Sequence, residues 1–208
     1  MIKRARRDFE RTNVLNQGAG GVRVAHPLFQ VEGSGSSPTS ALDLRFERVP
    51  FQLAKDLNRR WHSKLPLFET GFISNMPFLS FSADFEDVIY AVAIWSNPVA
   101  RLLPQTWLEL RRFAIAPDAP SNTASRMLGF MARNIKKTHP VVTTLISYQD
   151  CSAHLGTIYK AAGWLPSSAH PGGSWNRPHS KNSNGTPRTR PDANKATGRK
   201  IRWERKIR

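Results

Sequence analysis

Hydroxyl and titratable side chains gather at the end of an apolar run in the second half of the chain. The run TLISYQD carries Ser147, Tyr148 and Asp150, and the following segment, IYKAAGW, carries Tyr159. Upstream lie an apolar run, LELRRFAI, a turn rich in Pro, Asp and Asn, and the amphipathic pattern ASRMLGFMARNIKK. A strand, a turn and a helix, followed by a strand that ends in polar side chains, can hold a pyrophosphate cofactor beside a reaction centre. Residues 108–164 therefore form the candidate chemical unit of the chain.

The turn at residues 120–125 has two interpretations. Free backbone N–H groups at a helix start, together with the helix dipole, favour the binding of an anion. Ser121, Asn122 and Thr123 are also good N-cap residues, so simple capping is the alternative. The position of the turn between a strand and a helix favours anion binding.

Proton transfer could use side chains at two places. Asp150, at the end of its strand, could act as a base or could cap the helix that follows. His62 ends the pattern FQLAKDLNRRWH and could be a base or a metal ligand, or merely a solvated helix end. Ser147 and Tyr148 are neighbours on a strand, so one of them should border the cleft. The sequence contains no HxxxH or HxH pattern, and we expect no metal site.

Arg111 and Arg112 are neighbours in the run LELRRFAI. Successive residues of a strand point to opposite faces of the sheet, so one arginine should cover a helix and the other should face the substrate. The substrate-facing guanidinium could clamp a phosphate or orient the acceptor. The pattern leaves open which arginine does so, and Arg111 is the candidate.

Apolar periodicity predicts the elements that position these residues. Strands are expected over LDLRFERVP, residues 78–83, residues 88–95, from near Thr106, and over TLISYQD; helices are expected over FQLAKDLNRRWH, ASRMLGFMARNIKK and the start of IYKAAGW. The order is β-α-β-β-β-α-β-α, with a possible terminal strand from IRWERK. This order predicts an α/β fold of the α+β type, with a mixed, mostly antiparallel sheet flanked by helices.

Charge is concentrated in the two ends of the 208-residue chain, whose net charge is +16. Residues 165–208 hold 11 Lys/Arg against 2 Asp/Glu and residues 1–40 hold 6 against 3, whereas residues 41–164 hold 14 against 10. The C-terminal end, rich in Pro, Gly, Ser and Asn, buries too little apolar surface to offset its chain entropy. We expect a basic, partly disordered segment (1–40), a folded domain (41–164), and a basic flexible tail (165–208) with a terminal edge strand or lid at 199–206.

The basic ends predict a polyanionic partner. Mobile Lys and Arg side chains can neutralise phosphates of nucleic acid and release counterions. A tail that serves only for solubility is the alternative. The single cysteine and the lack of a long apolar run predict a protein of a reducing compartment, such as the cytoplasm, with no signal peptide or membrane span.

Several of these segments resemble a known family. The β-α-β-β-β-α-β-α order, the turn after LELRRFAI and the IYKAAGW ending resemble the GNAT acyltransferases. The runs ELRRFAIAPDAPSNTASRML, LISYQDCSAHLGTIYKAAGW and NRRWHSKLP further resemble phage-encoded GNAT-like proteins of the Mom DNA-modification type. The resemblance covers residues 45–164 and the RKIRWE end. It implies an enzyme that modifies the exocyclic amine of adenine in DNA (carbamoylmethylation) with an acyl-CoA-type donor.

The resemblance also implies where the donor binds. In GNAT proteins the pantetheine arm of acetyl-CoA lies along a strand edge, which here is Phe113, Ala114 and Ile115. The pyrophosphate then lies on the following turn, here Ser121, Asn122, Thr123, Ala124 and Ser125. This turn lacks the glycines usual in the family, so the Ser, Asn and Thr side chains are expected to supplement the backbone donors.

The resemblance also implies which residues take part in catalysis and in DNA binding. Tyr159 occupies the position of a general acid near the cofactor sulfur, although a core tyrosine with its hydroxyl at the rim is the alternative. Asp150 would act as base or orient the adenine amine, and His62 lies near the acceptor site. Double-stranded DNA would be held through the basic ends, with Arg188, Arg190, Arg199 and Lys200 as candidate phosphate contacts. The alternatives are an N-acetyltransferase for a protein or small amine, and an inactive nucleic-acid-binding protein with the same fold.

Overall fold

A computed structural model describes residues 37–62, 79–98, 100, 102–171, 185 and 198–208, together with the backbone of Arg23–Val24. Predictions for the other residues, including most of the two basic ends, lie outside the described part of the chain. Among the described residues, no helix is both long and apolar enough to cross a membrane.

The described residues form one mixed sheet of eight strands. The strands are β1 (Arg23–Val24), β2 (Arg45–Arg48), β3 (Leu79–Phe85), β4 (Val88–Ser96), β5 (Trp107–Ile115), β6 (Thr144–Asp150), β7 (Leu165–His170) and β8 (Lys200–Lys206). Their spatial order is β2-β3-β4-β5-β6-β8-β7, with β1 beside the start of β4. The β5–β6 and β1–β4 pairs are parallel and the other pairs are antiparallel. The α+β fold class predicted from the sequence is confirmed.

Helices cover both faces of the sheet. Helix α1 (Phe51–Trp61) packs Ala54 and Leu57 against Val92, Ile94 and Ala114, and we call this side the α1 face. Helix α2 (Thr123–Thr138) buries Met127, Leu128, Met131 and Ile135 among Phe81, Trp95 and Leu145 on the opposite side, the α2 face. The short helix α3 (Thr157–Ala161) also lies on the α2 face, where Tyr159 contacts Trp164 and Trp203.

Apolar spacing explains both long helices. Leu53, Ala54, Leu57 and Trp61 recur at helical spacing in α1, which starts after Pro50 and ends where His62 adopts an extended conformation. The same spacing is found in α2 for Met127, Leu128, Met131 and Ile135. The positive charges of Lys136 and Lys137 in its last turn interact favourably with the negative end of the helix dipole.

The C-terminal end of the fold differs from expectation in two respects. The terminal strand exists, but β8 is an interior strand between β6 and β7 and not the expected edge strand. Strand β7 forms the edge instead, from residues assigned to the flexible tail. Trp203 of β8 is buried against the core of residues 41–164, so the ordered domain includes β7 and β8.

Candidate functional site

Strands β5 and β6 diverge in the middle of the sheet. They pair from Trp107 opposite Thr144 to Leu110 opposite Ser147, and no further. Beyond this point β5 continues beside β4, and β6 continues beside β8. The edge of β5 at residues 111–115, which contains Phe113, Ala114 and Ile115, therefore has no strand on its β6 side among the described residues. The gap opens directly after Leu110.

The turn before α2 leaves backbone donors at the start of the helix. Asn122 adopts a left-handed conformation (φ 68°) and makes no side-chain capping bond. The hydroxyls of Thr123 and Ser125 donate to the carbonyls of Pro120 (2.6 Å) and Asn122 (3.1 Å), so these protons are used within the turn. The first intrahelical bond runs from the Arg126 N–H to the Asn122 carbonyl. The N–H groups of Ala124 and Ser125 precede that bond. Within the part of the chain that the structure describes they have no hydrogen-bond acceptor, so they can bind an anion.

Ser147 and Tyr159 meet on the α2 face beside the gap. Their hydroxyl oxygens are 2.8 Å apart, and both residues are buried. The Tyr159 ring stacks on Trp203 with 5.4 Å between centroids and meets Trp164 edge to face. Burial raises the pKa of Tyr159 and outweighs the opposite effect of the Ser147 hydrogen bond. The phenol therefore stays protonated at neutral pH.

A β-bulge places both arginines on the α1 face. Ile94 pairs with Arg112 and the next residue, Trp95, pairs with Leu110, so Arg111 is an extra residue in β5. Arg112 pairs with Ile94 and therefore lies on the α1 face. Glu109 pairs with Ser96, also on the α1 face, and the Nε of Arg111 lies 3.5 Å from the Glu109 carboxylate. The expectation that the two arginines point to opposite faces was wrong, because the bulge interrupts the alternation of the strand.

His62 lies on the same side of the sheet, at the end of α1. Burial lowers its pKa, and electrostatic interactions with Arg112 and His154 lower it further. The His62 side chain therefore lies within electrostatic range of Arg112 and of His154, although both are far from it in the sequence. An imidazole with a lowered pKa is neutral at pH 7 and can accept a proton.

Asp150 takes part in a local turn. Its Oδ1 accepts hydrogen bonds from the backbone N–H of Ser152 (2.9 Å) and the Ser152 hydroxyl (2.6 Å). This geometry matches the capping alternative for Asp150, although it caps a turn and not a helix.

Tyr148, one residue beyond Ser147, projects to the α1 face. Burial raises the pKa of Tyr148, and a hydrogen bond with Arg202 opposes that shift.

The family is decided by comparison with known proteins. The model of the Mom protein family matches residues 43–206, most of the chain. The chain belongs to the Mom protein family.

Solved structures show the fold of this Mom-family chain. It matches the ribosomal-protein-S18-alanine N-acetyltransferase of Escherichia coli at 18% identity with a TM-score of 0.52, over 79% of this chain and 94% of that one. It matches an aminoglycoside acetyltransferase in complex with coenzyme A and kanamycin at 9% identity and a TM-score of 0.51, over 78% and 94%. A GNAT-family protein of Desulfovibrio desulfuricans matches at 15% and 0.50, over 79% and 99%. The fold is that of the GNAT acetyltransferases. Among curated proteins, no sequence matches the chain.

Sequence reasoning missed a set of charged and aromatic side chains on the α1 face of this Mom-family domain. Arg202 lies 2.8 Å from Glu204 and 5.8 Å over the Trp107 ring, and it hydrogen-bonds Tyr148. Glu109 contacts Arg111 nearby. Alternating charges in KIRWERKIR could have signalled this set, because alternate residues of a strand share a face. The alternation was interpreted only as a terminal edge strand or lid, without a role for Arg202 or Glu204.

The remaining candidates are placed as follows. Ser121 and Asn122 are exposed, Ala124 is buried in the first turn of α2, and Arg199 is exposed beside β8. Lys200 pairs in register with Asp150. Arg188 and Arg190 lie outside the described residues. Within the described ranges, no group of three or more His, Cys, Asp or Glu side chains is arranged to hold a metal ion.

Proposed function

We propose that the protein is a transferase that uses an acyl-CoA-type donor to modify the exocyclic amine of adenine in DNA. The observation that carries the proposal is membership of the Mom protein family over residues 43–206, combined with an acetyltransferase fold. In this proposal the acyl donor and the acceptor adenine bind on opposite faces of the sheet, on either side of the gap between β5 and β6. Backbone donors and Tyr159 lie on the α2 face, and His62, Tyr148 and the arginines lie on the α1 face.

The residues on the α2 face fit an acyl-CoA. The edge of β5 beyond Leu110 can pair with a pantetheine arm, and the N–H groups of Ala124 and Ser125 can hold a pyrophosphate. The bound thioester would supply the activated group and a thiolate that leaves. Because the Thr123 and Ser125 hydroxyls donate within the turn, the backbone supplies the donors in this proposal.

Proton transfer is assigned to two residues on opposite sides of the gap. His62 is neutral at pH 7 and takes a proton from the adenine amine. Tyr159 keeps its proton at neutral pH and gives it to the departing sulfur. Ser147 holds the Tyr159 hydroxyl through their hydrogen bond. Asp150 shapes the turn after β6 in this proposal.

Nucleoside mass spectrometry tests the proposed function. DNA from cells that express the wild-type protein should contain a mass-shifted deoxyadenosine. The added mass of an acetyl group would match transfer of the donor's carbonyl carbon with loss of the thiolate, whereas that of a carbamoylmethyl group, which joins the nitrogen through a methylene carbon, would assign the reaction to another class of donor. DNA from cells that express Tyr159→Phe should contain much less. Wild-type DNA without any shifted nucleoside, from cells with folded protein, would reject the proposal. An acetylated protein or small amine in the same cells would instead support an N-acetyltransferase.

Ser125→Glu tests the donor site with two effects of opposite sign. A carboxylate in the first turn of α2 should stabilise the free protein by about 0.3–1 kcal/mol through the helix dipole. The same carboxylate should repel a pyrophosphate and abolish the rise in Tm that CoA produces in the wild type. Both effects are measured by thermal unfolding with and without CoA. Thr138→Glu, at the other end of α2, is the control and should keep the CoA shift. An unchanged CoA shift in Ser125→Glu would exclude this helix start as the pyrophosphate site.

His62→Asn tests the proton acceptor through the pH profile. The wild-type rate should fall as His62 becomes protonated, and because its pKa is lowered from 6.5 the fall should lie below pH 6.5. Removing the imidazole should lower the rate about 10²–10⁴-fold at neutral pH and should remove this acidic limb. Asp150→Asn should keep the acidic limb. Retention of the limb in His62→Asn would assign it to another group.

Double-stranded DNA as partner is tested by charge removal and not by truncation. Ending the chain after Trp164 would delete β7 and β8 and expose the core around Trp203, so lost DNA binding would only report unfolding. Arg188→Gln with Arg190→Gln removes two charges, and the slope of log K against log salt should decrease by about 2. Fluorescence anisotropy with a labelled duplex at several salt concentrations measures the slope. An identical slope would remove these arginines from the interface.

A further inference from the structure

The bulge in β5 creates a pair of adjacent guanidinium groups on the α1 face. We propose that this arginine pair, Arg111 and Arg112, binds a phosphodiester group of the nucleic-acid strand that carries the acceptor adenine. The inference rests on the proposed function, since it assigns the recognition of the acceptor within the same site.

The pair is built into the sheet and does not extend freely into solvent. The Arg111 side chain retains only 13% of its exposure, and its Nε lies 3.5 Å from Glu109. The Nη1 of Arg112 donates to the Arg111 carbonyl at 2.6 Å, which fixes the direction of the second guanidinium. Two side chains that would normally diverge are therefore held together by one extra residue in the strand.

The surrounding charge favours an anion. Glu109 is a carboxylate that acts on both arginines, so two guanidinium charges face one carboxylate charge, and the neutral His62 imidazole adds no charge to this balance. Burial and the charge of Arg111 lower the pKa of Arg112 to about 10. Burying like charges side by side is costly, and a bound anion would relieve that cost.

Phosphate is the anion that fits this geometry. A guanidinium presents a planar fork of N–H donors that binds phosphate oxygens through two parallel hydrogen bonds. The phosphates of an acyl-CoA are assigned to the start of α2, on the other face of the sheet. A phosphate on the α1 face would therefore belong to the acceptor strand. Contacts of this kind position a strand without reading its sequence.

Calorimetric titration of short oligonucleotides tests the proposal. The probes are a trinucleotide with a central adenine and the same trinucleotide with neutral methylphosphonate links. The wild type should bind the charged probe roughly 10- to 100-fold more tightly than the neutral one. Arg112→Gln and Arg111→Gln should each reduce this ratio, and Arg112→Lys should keep part of it because the charge remains. Arg133→Gln removes an exposed arginine from α2 and should leave the ratio unchanged.

The outcomes separate this proposal from its alternatives. A ratio that stays at the wild-type value in both glutamine variants, with the fold verified by thermal unfolding, overturns it. A loss of the CoA-induced rise in Tm in Arg112→Gln, with an unchanged ratio, would assign the pair to the donor's phosphates and also overturn it. Because binding is measured without turnover, a missing DNA modification would reject the proposed function while the phosphate ratio still reports on the arginine pair.

Discussion

Replacing Tyr159 with phenylalanine is expected to lower the rate of group transfer by about 10²–10⁴-fold while the protein stays folded. The change removes one hydroxyl from a ring that remains stacked on Trp203. If Tyr159 is the general acid, as proposed, the change removes the proton for the departing thiolate. It also leaves the Ser147 hydroxyl without this partner, at a cost of about 1–3 kcal/mol. Nucleoside mass spectrometry measures the rate, and thermal unfolding measures the stability.

Ser147→Ala is the matched control for Tyr159→Phe. It removes the same hydrogen bond but leaves the phenol and its proton in place. If Tyr159 donates the proton, Ser147→Ala should lose far less activity than Tyr159→Phe. Equal losses in the two variants would mean that the hydrogen bond between them matters and that the tyrosine proton does not.

The pH profile gives a second test of Tyr159. Burial raises its pKa above the ordinary value of 10.0, so the acid form persists through the neutral range. A required tyrosine proton therefore predicts no alkaline loss of rate from this group below about pH 10. An alkaline limb near pH 8 that disappears in Tyr159→Phe would contradict the direction of this shift.

Periodic patterns were enough to predict the central elements. The predicted strand TLISYQD coincides with β6, and the predicted helix ASRMLGFMARNIKK lies within α2. Helix α2 buries one continuous apolar side, whereas β6 is a short run that is buried on both faces of the sheet, and each pattern follows the geometry of its element. The α+β fold follows from the order of such elements.

Strand β7 could not be predicted in this way. Its sequence, LPSSAH, is exposed at most positions, because an edge strand needs no alternating apolar residues to pair through its backbone. It belongs to the sheet because β8 returns beside β6 and offers a free edge. That return depends on the burial of Trp203 against Tyr159 and Gln149, and contacts between residues 44 and 54 positions apart leave no local pattern.

The candidate site, like the fold, was only partly predictable from the sequence. Ser147, Tyr159 and His62 were selected by residue type, and the structure places the first two in contact and the third beside Arg112. The common face of Arg111 and Arg112 was not predictable, since a bulge is a property of strand pairing and not of one strand's sequence. Asp150 illustrates the reverse case, because a carboxylate at a strand end also suits a turn.

Glycine at position 156 connects the fold to the site, and Gly156→Ala is expected to destabilise the protein by about 2–5 kcal/mol. Gly156 precedes α3 with a φ of 74°, which an alanine rarely adopts. A Cβ there would lie 2.5 Å from the Gln149 Oε1 and 2.7 Å from the Trp203 ring. These two side chains are joined by a hydrogen bond of 2.7 Å from the Trp203 Nε1. Thermal unfolding should show a Tm lower by roughly 5–20 °C.

Gly163→Ala separates the two causes of this loss. Gly163 has nearly the same φ, 72°, but a Cβ there would meet no atom within 4 Å. Gly163→Ala should therefore lose only the free energy that an alanine pays for the left-handed backbone conformation, about 1–2 kcal/mol. The excess in Gly156→Ala then measures the clash with Gln149 and Trp203. Because the Trp203 ring supports Tyr159, Gly156→Ala should also lower the transfer rate of the folded fraction, whereas Gly163→Ala should not. Equal stability losses in the two variants would show that Gln149 and Trp203 can move aside freely, and that the packing around Tyr159 is not tightly held.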